Sequence, residues 1–113
     1  MNTIKRDDIT KILEQWKAGE MDAKSVHNWA EERYATDKWE TEDDVTNEVL
    51  GDLDRLDMNL IVQSDITILI QVLNSSSTAD EASKRIDEYF DTVDFGQRKA
   101  ELRNDPLYES FCK

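Results

Sequence analysis

The apolar residues between Thr41 and Asp57 are spaced as they would be on one face of an α-helix. They recur at intervals of four, four and three positions: Val45, Val49, Leu53 and Leu56. Residues three and four apart lie on the same side of a helix, so this spacing predicts an amphipathic helix. Thr41, at its start, is the residue type that commonly caps a helix N-terminus. We expect the rest of the chain to be organised around this helix.

The other face of this predicted helix is acidic. It carries one cation, Arg55, and five acids: Asp43, Asp44, Glu48, Asp52 and Asp54. Asp44, Glu48 and Asp52 are four residues apart, which predicts a row of carboxylates about 12 Å long. Like charges at this spacing cost about 0.2–0.5 kcal/mol per pair, so folding alone gives no reason for the row. We interpret the row as a surface for a positively charged partner.

The charge of the whole chain points the same way. Its 113 residues include 26 acids and 14 bases, for a net charge of −12. The window 37–57 alone contains nine acids and two bases. Such a field speeds association with basic proteins and repels nucleic acid and anionic membranes. We therefore expect a basic protein partner, with no direct binding to nucleic acid and no membrane association.

Length and composition predict one folded domain over residues 1–113. The three Trp, the single Pro and the helical periodicity outweigh the high net charge, which by itself would favour disorder. One cysteine excludes an internal disulfide, and no hydrophobic segment of the signal-peptide type follows Met1. We expect a cytoplasmic protein.

Capping residues and apolar spacing predict a compact all-α bundle of five to six helices. The helices besides 41–57 are expected at about 6–18, 23–34, 64–73, 79–93 and 95–102, with a short turn at 106–111. Their predicted N-caps include Asp22, Ser64, Thr78 and Asp94. The segment Ile66–Leu73 is rich in β-branched residues, so a strand remains the alternative there. The segments 35–40 and 58–63 are expected to be connections.

No recognisable chemistry accompanies this fold. His27 and Glu31 could face one metal ion, but no further ligands follow at a recognisable spacing, which favours a structural histidine. Cys112 has no evident base partner, and the acidic residues lack the ligand order and glycine of a calcium-binding loop. The sequence thus predicts neither an enzyme nor a metal or cofactor site.

Trp39 precedes the acidic helix and fits no helical stripe. It either folds back over the core or anchors an interface, where Trp is enriched among residues that dominate binding energy. The predicted partner-binding residues are therefore Trp39, Glu40, Asp43, Asp44, Glu48, Asp52 and Asp54.

Three segments give the chain a resemblance to a known type of protein: VHNWAEERY (26–34), EDDVTNEVLGDLDRLDMNLI (42–61) and DPLYESFC (105–112). In these, and in being small, acidic and helical, it resembles the bacterial immunity proteins that neutralise toxins of colicin and contact-dependent inhibition systems. The resemblance implies a toxin domain as partner, often a nuclease, whose basic active-site cleft is blocked. It supplies no residue-by-residue correspondence.

Two other functions are compatible with the sequence. A DNA mimic would present its acids along one edge, spaced like phosphates, to inhibit a DNA-binding or restriction protein. A small regulatory adaptor would be marked by a pocket instead of a charged ridge. The sequence leaves the oligomeric state open.

Overall fold

The computed structural model describes residues 2–113, which form six α-helices and a sheet of two short strands. In chain order the elements are β1 (Asn2–Ile4), α1 (Arg6–Lys17), α2 (Ala23–Glu31), β2 (Trp39–Thr41), α3 (Asp44–Asp54), α4 (Ile66–Ser75), α5 (Ala79–Phe90) and α6 (Phe95–Leu102). Single 3₁₀ turns lie at Gln63–Asp65 and Glu109–Phe111. The all-α prediction is confirmed, and the segment Ile66–Leu73 is helical.

The sheet is the one regular element that the sequence analysis missed. β1 and β2 pair in parallel, with Asn2 opposite Trp39 and Ile4 opposite Thr41. The expected loop over 35–40 is therefore wrong at its end, and a helix cannot begin at Thr41. Strands of three residues are too short for the alternation of apolar and polar residues that normally indicates a strand.

Helix α3 is shorter than the expected 41–57 at both ends: its N-cap lies two residues later than Thr41, and the helix ends at Asp54 instead of Asp57. Its N-cap is Asp43, whose Oδ1 accepts hydrogen bonds from the backbone N–H and the hydroxyl of Thr46, both at 2.8 Å. Asp22, Thr78 and Asp94 cap α2, α5 and α6 as predicted.

Helix α3 lies at the centre of the molecule, packed against α1, α2, α4, α5 and β2. Its buried face is wider than the predicted stripe, because Thr46, Leu50 and Gly51 are buried along with that stripe. Gly51 permits close contact with the segment that follows α2, since a Cβ there would stand 2.9 Å from Cε1 of Tyr34. A central helix has little surface left for a partner, so only part of the acidic face predicted for α3 can be exposed.

The connection before α4 is held by a buried ion pair. Asp65, not Ser64, is the residue that organises this turn, and its Oδ2 accepts a hydrogen bond from the N–H of Val62 at 2.8 Å. The carboxylate of Asp65 is fully buried, bonds to Arg98 of α6 at 2.8 and 3.1 Å, and accepts from the hydroxyl of Tyr89. Tyr89 and Arg98 lie on α5 and α6, so the network holds these two helices to the core.

Candidate partner-binding surface

Trp39 lies on β2 and is half-buried. The guanidinium of Arg33 lies between two indole rings, 4.5 Å from the ring centre of Trp29 and 4.8 Å from that of Trp39. Cation–π contacts of this kind fix the ring against α2. Trp39 thus packs on the core as the first of its two interpretations requires, while the exposed part of its ring borders a shallow cavity of about 380 Å³.

Glu40, the next residue, points to solvent from the middle of β2. Its Oε1 accepts a hydrogen bond from the hydroxyl of Thr3 on the paired strand at 3.2 Å. The sheet, and not the acidic helix, therefore positions Trp39 and Glu40. The helical spacing that aligns the carboxylates of α3 does not extend to these two residues.

Asp43 is already neutralised by its own chain. Its Oδ2 lies 2.9 Å from Nε of Arg6, whose Nη1 donates to the backbone carbonyls of Leu73 and Ser76. Partial burial raises the pKa of Asp43, but hydrogen bonds from Thr46 and from Arg6 outweigh it and leave the pKa below its usual value. Asp43 is a capping and anchoring residue, and it contributes little free charge to the predicted surface.

The remaining acids of α3 differ in exposure. Asp44 is exposed in the first turn, whereas Glu48 and Asp54 are half-buried. Asp44, Glu48 and Asp54 take part in no ion pair within residues 2–113. The row of carboxylates therefore exists, but its accessibility falls from Asp44 toward the C-terminal end of the helix.

Asp52, at that end, departs most from the expected solvent-facing ridge. Its side chain is only 13% exposed, and the nearest cation is Arg55, 3.5 Å away between Nη2 and Oδ1. The other oxygen, Oδ2, is buried and has no hydrogen-bond partner within residues 2–113. The expectation that this carboxylate is surrounded by water is wrong: the side chain is largely buried, and α5, which packs against α3, brings Asp87 near it.

The electrostatics of Asp52 follow from this packing. Burial, aided by the negative charges of Glu48 and Asp87, raises its pKa to about 7, against the opposing charge of Arg55. An aspartate with this pKa is partly protonated at neutral pH, and a positive charge brought close to it favours the ionised form. We call the group formed by Glu48, Asp52 and Asp87 the α3–α5 acidic cluster.

Asp87 is the member of this cluster that the sequence analysis missed. It lies on α5, where it is exposed among residues of both signs, including Lys84, Arg85 and Glu88. Nothing in that local pattern distinguishes it. Only the packing of α5 on α3 brings it near Asp52. No spacing rule relates two residues on helices that have another helix, α4, between them in the chain.

His27 is buried between α2 and α3. Its Nδ1 lies 3.3 Å from the backbone carbonyl of Leu53, and its Nε2 lies 3.5 Å from carboxylate oxygens of both Glu31 and Asp57. Within residues 2–113 no three side chains of metal-binding type are grouped so as to hold an ion. The geometry is that of a histidine that joins two helices.

Comparisons with protein-family models, with known proteins and with solved structures find no match for this chain. None of the helices in residues 2–113 has the length and apolar character needed to cross a bilayer.

Proposed function

We propose that this protein is an immunity protein that binds and neutralises a basic toxin domain, with the α3–α5 acidic cluster and the exposed Asp44 as its contact surface. It acts by binding and not by catalysis, in the cytoplasm where an entering toxin must be intercepted. The partner class is a domain, such as a nuclease, whose active-site cleft is positively charged.

The observation that carries this proposal is the unpaired oxygen of Asp52. A buried polar atom without a hydrogen bond costs about 1–3 kcal/mol, and ordinary folds leave few such atoms. The neighbours Glu48 and Asp87 add negative charge and no hydrogen-bond donor. An arginine or lysine of a partner, placed beside Glu48 and Asp87 at the seam between α3 and α5, would supply the missing positive charge, and rotation of the Asp52 carboxylate toward it would give the buried oxygen its missing donor.

The charge of the whole molecule supports the same partner. A nuclease cleft is positive because it holds phosphates, and a protein with a net charge of −12 is attracted to it from a distance. Electrostatically steered pairs associate at up to about 10⁸–10⁹ M⁻¹s⁻¹ at low salt. Fast capture is useful to a protein that must reach a toxin before the toxin reaches its substrate.

The burial of Asp52 favours this function over DNA mimicry. A mimic of DNA needs carboxylates that stand in water along an edge, as phosphates do. Asp52 is 13% exposed and Glu48 is half-buried, so the row of three retains one exposed member, Asp44. A recessed carboxylate with acidic neighbours is better suited to bind one cationic side chain of a partner than to bind the extended row of cationic residues on a DNA-binding protein.

The proposal is tested with a toxin domain encoded next to the gene of this protein, as measured by growth protection and by isothermal titration calorimetry. Glu48→Lys with Asp87→Lys reverses two charges beside Asp52 at positions that are not part of the core. We expect protection to be lost and affinity to fall by about a hundredfold or more, since disrupting a buried interfacial charge pair costs about 2–5 kcal/mol.

The matched control is Glu14→Lys with Glu101→Lys, which makes the same change in net charge at exposed positions on α1 and α6. It tests whether overall charge, and not the cluster, determines binding. Full protection and unchanged affinity in the Glu48→Lys, Asp87→Lys variant would rule out the cluster as the contact surface. A neighbouring toxin that the wild-type protein neither binds nor neutralises would rule out the function.

A further inference from the structure

A groove of about 650 Å³ lies between the start of α2 and the C-terminal segment. Its apolar residues come from both sides of the gap: Ala23, Pro106, Leu107 and Phe111. Its charged residues are Asp22, Asp57, Asp105 and Lys24. The groove thus combines apolar contact area with three carboxylates and one ammonium group. It shares no residue with the α3–α5 acidic cluster.

The three carboxylates are held in place by hydrogen bonds from the backbone. The N–H of Ser25 donates to Asp22 at 2.8 Å, that of Met58 to Asp57 at 2.7 Å, and that of Leu107 to Asp105 at 3.0 Å. In Asp105 the bond uses Oδ1, and Oδ2 has no hydrogen-bond partner within residues 2–113. Side chains fixed in this way lose little conformational entropy when a ligand binds.

Two carboxylates of the groove also act on Tyr108, which follows Leu107 in the chain. Tyr108 is buried, and its hydroxyl donates to the backbone carbonyl of Ile61. Burial raises the pKa of this phenol, and the charges of Asp105, Asp65 and Asp57 raise it further against the opposing charge of Arg98. Hydrogen bonds from the side chain and backbone of Ser25 lower the pKa of Asp22 below its usual value.

We infer that this groove binds a segment of a partner protein in which an apolar residue stands beside an arginine or lysine. The apolar side chain covers Leu107 and Phe111, and the cation lies between Asp57 and Asp105. Nucleic acids and anionic lipid surfaces are repelled by the same carboxylates. The inference rests on the shape and charge of the groove, so it stands or falls separately from the proposed function.

The test is a titration of the ¹⁵N-labelled full-length protein, followed by heteronuclear NMR at low salt. The probe is acetyl-Leu-Arg-Leu-Arg-amide, and the matched peptides are acetyl-Gly-Arg-Gly-Arg-amide and acetyl-Leu-Glu-Leu-Glu-amide. We expect saturable shifts at the amides of Ala23, Lys24, Leu107 and Phe111 with the first peptide. The second peptide, which lacks apolar side chains, binds more weakly, and the third does not bind.

Two variants locate the binding. Asp57→Asn with Asp105→Asn keeps the side-chain acceptors but removes two charges, and we expect it to weaken binding about tenfold, a loss of roughly 0.7 kcal/mol per charge. Because Asp57 also contacts His27, Asp105→Asn alone is measured as well, and its partial loss is expected without any change in the spectrum of the core. Glu48→Gln with Asp87→Asn, which alters only the α3–α5 acidic cluster, is expected to bind the peptide as the wild type does.

Three outcomes would overturn the inference. The first is a set of shifts centred on α3 and α5 and abolished by Glu48→Gln with Asp87→Asn. The second is equal affinity for the peptide without leucines or for spermidine, which would show that charge alone is recognised. The third is the absence of saturable shifts at the groove.

Discussion

At the scale of single residues, Asp52 has the least favourable surroundings of the side chains in residues 2–113, because one of its oxygens is buried without a hydrogen bond. It combines burial, two acidic neighbours and an oxygen without a hydrogen bond, and one arginine at 3.5 Å offsets only part of this cost. By contrast, the fully buried Asp65 is satisfied by Arg98, Tyr89 and a backbone N–H. The two aspartates differ in the donors that the fold supplies to a buried carboxylate, and missing donors add to the cost of burial.

The first prediction concerns the pH dependence of stability. The pKa of Asp52 is about 7 in the folded protein and near 3.8 in the unfolded chain. The stability contributed by protonated Asp52 is therefore complete below about pH 4 and is lost as the pH rises through about 7. Asp52→Asn removes this loss, and we expect it to raise the free energy of unfolding by about 2–4 kcal/mol at about pH 8 and to change it little at about pH 4.

This effect is measured as the difference between variant and wild type in urea unfolding across that pH range. The control is Asp44→Asn, which neutralises an exposed carboxylate on the same helix. Its difference from wild type is expected to stay within about 0.5 kcal/mol at every pH. A gain for Asp52→Asn that is independent of pH would show that Asp52 is not protonated in the folded protein.

At the scale of elements, the start of α3 depends on Asp43 in two ways. Its Oδ1 caps the helix through Thr46, and its Oδ2 pairs with Arg6 at the start of α1. Arg6 in turn holds the carbonyls of Leu73 and Ser76 at the end of α4. One aspartate thereby connects the ends of three helices.

The second prediction separates these two roles. Asp43→Asn keeps an oxygen for the cap but loses the ion pair, whereas Asp43→Ala loses both. We expect the alanine variant to lower the free energy of unfolding by about 1–2 kcal/mol or more, and the asparagine variant by less, because asparagine is also a good N-cap. Chemical denaturation measures both. Equal losses in the two variants would mean that the ion pair and not the cap stabilises α3.

The third prediction concerns the contact between Gly51 and Tyr34. In Gly51→Ala the new Cβ meets the tyrosine ring at 2.9 Å, so we expect a loss of about 1–2 kcal/mol from overpacking. When Tyr34→Ala removes the ring, the same substitution should stabilise the protein by about 0.5–1 kcal/mol, the usual gain of alanine over glycine in a helix. A double-mutant cycle measured by thermal unfolding tests this reversal of sign, and additive effects would contradict it.

At the scale of the whole molecule, charge repulsion opposes compaction. The net charge of −12 is distributed over a domain with a radius of gyration of 13.7 Å, so most carboxylates lie within the screening length of others at low ionic strength. Self-repulsion of this kind destabilises the folded state.

The fourth prediction follows from screening. Raising sodium chloride from about 20 mM to about 200 mM should increase the midpoint of urea unfolding, because salt screens carboxylate repulsion. The effect should be smaller in a variant with Asp44→Lys, Glu48→Lys and Asp87→Lys, in which each reversal adds two charges and −12 becomes −6. A midpoint that falls with salt, or an equal rise in both proteins, would contradict this explanation.

Local signals identified most of the fold. The caps at Asp22, Thr78 and Asp94 and the apolar spacing of each helix are properties of neighbouring residues, so the sequence carries them directly. The two strands were not predicted because their pairing joins residues 2–4 to residues 39–41, and neither segment is long enough to show a pattern of its own. The displaced start of α3 follows from the same pairing, which takes Thr41 into the sheet.

The sequence by itself determined the helical class, the position of nearly every helix and the excess of negative charge. Only the tertiary structure decided the surroundings of each acid: Asp43 is paired with Arg6, the side chain of Asp52 is largely buried, and Asp87 lies near it on another helix. The physical reason is that helix formation depends on contacts three and four residues apart. The charge state and exposure of a carboxylate depend instead on whatever the fold places against it.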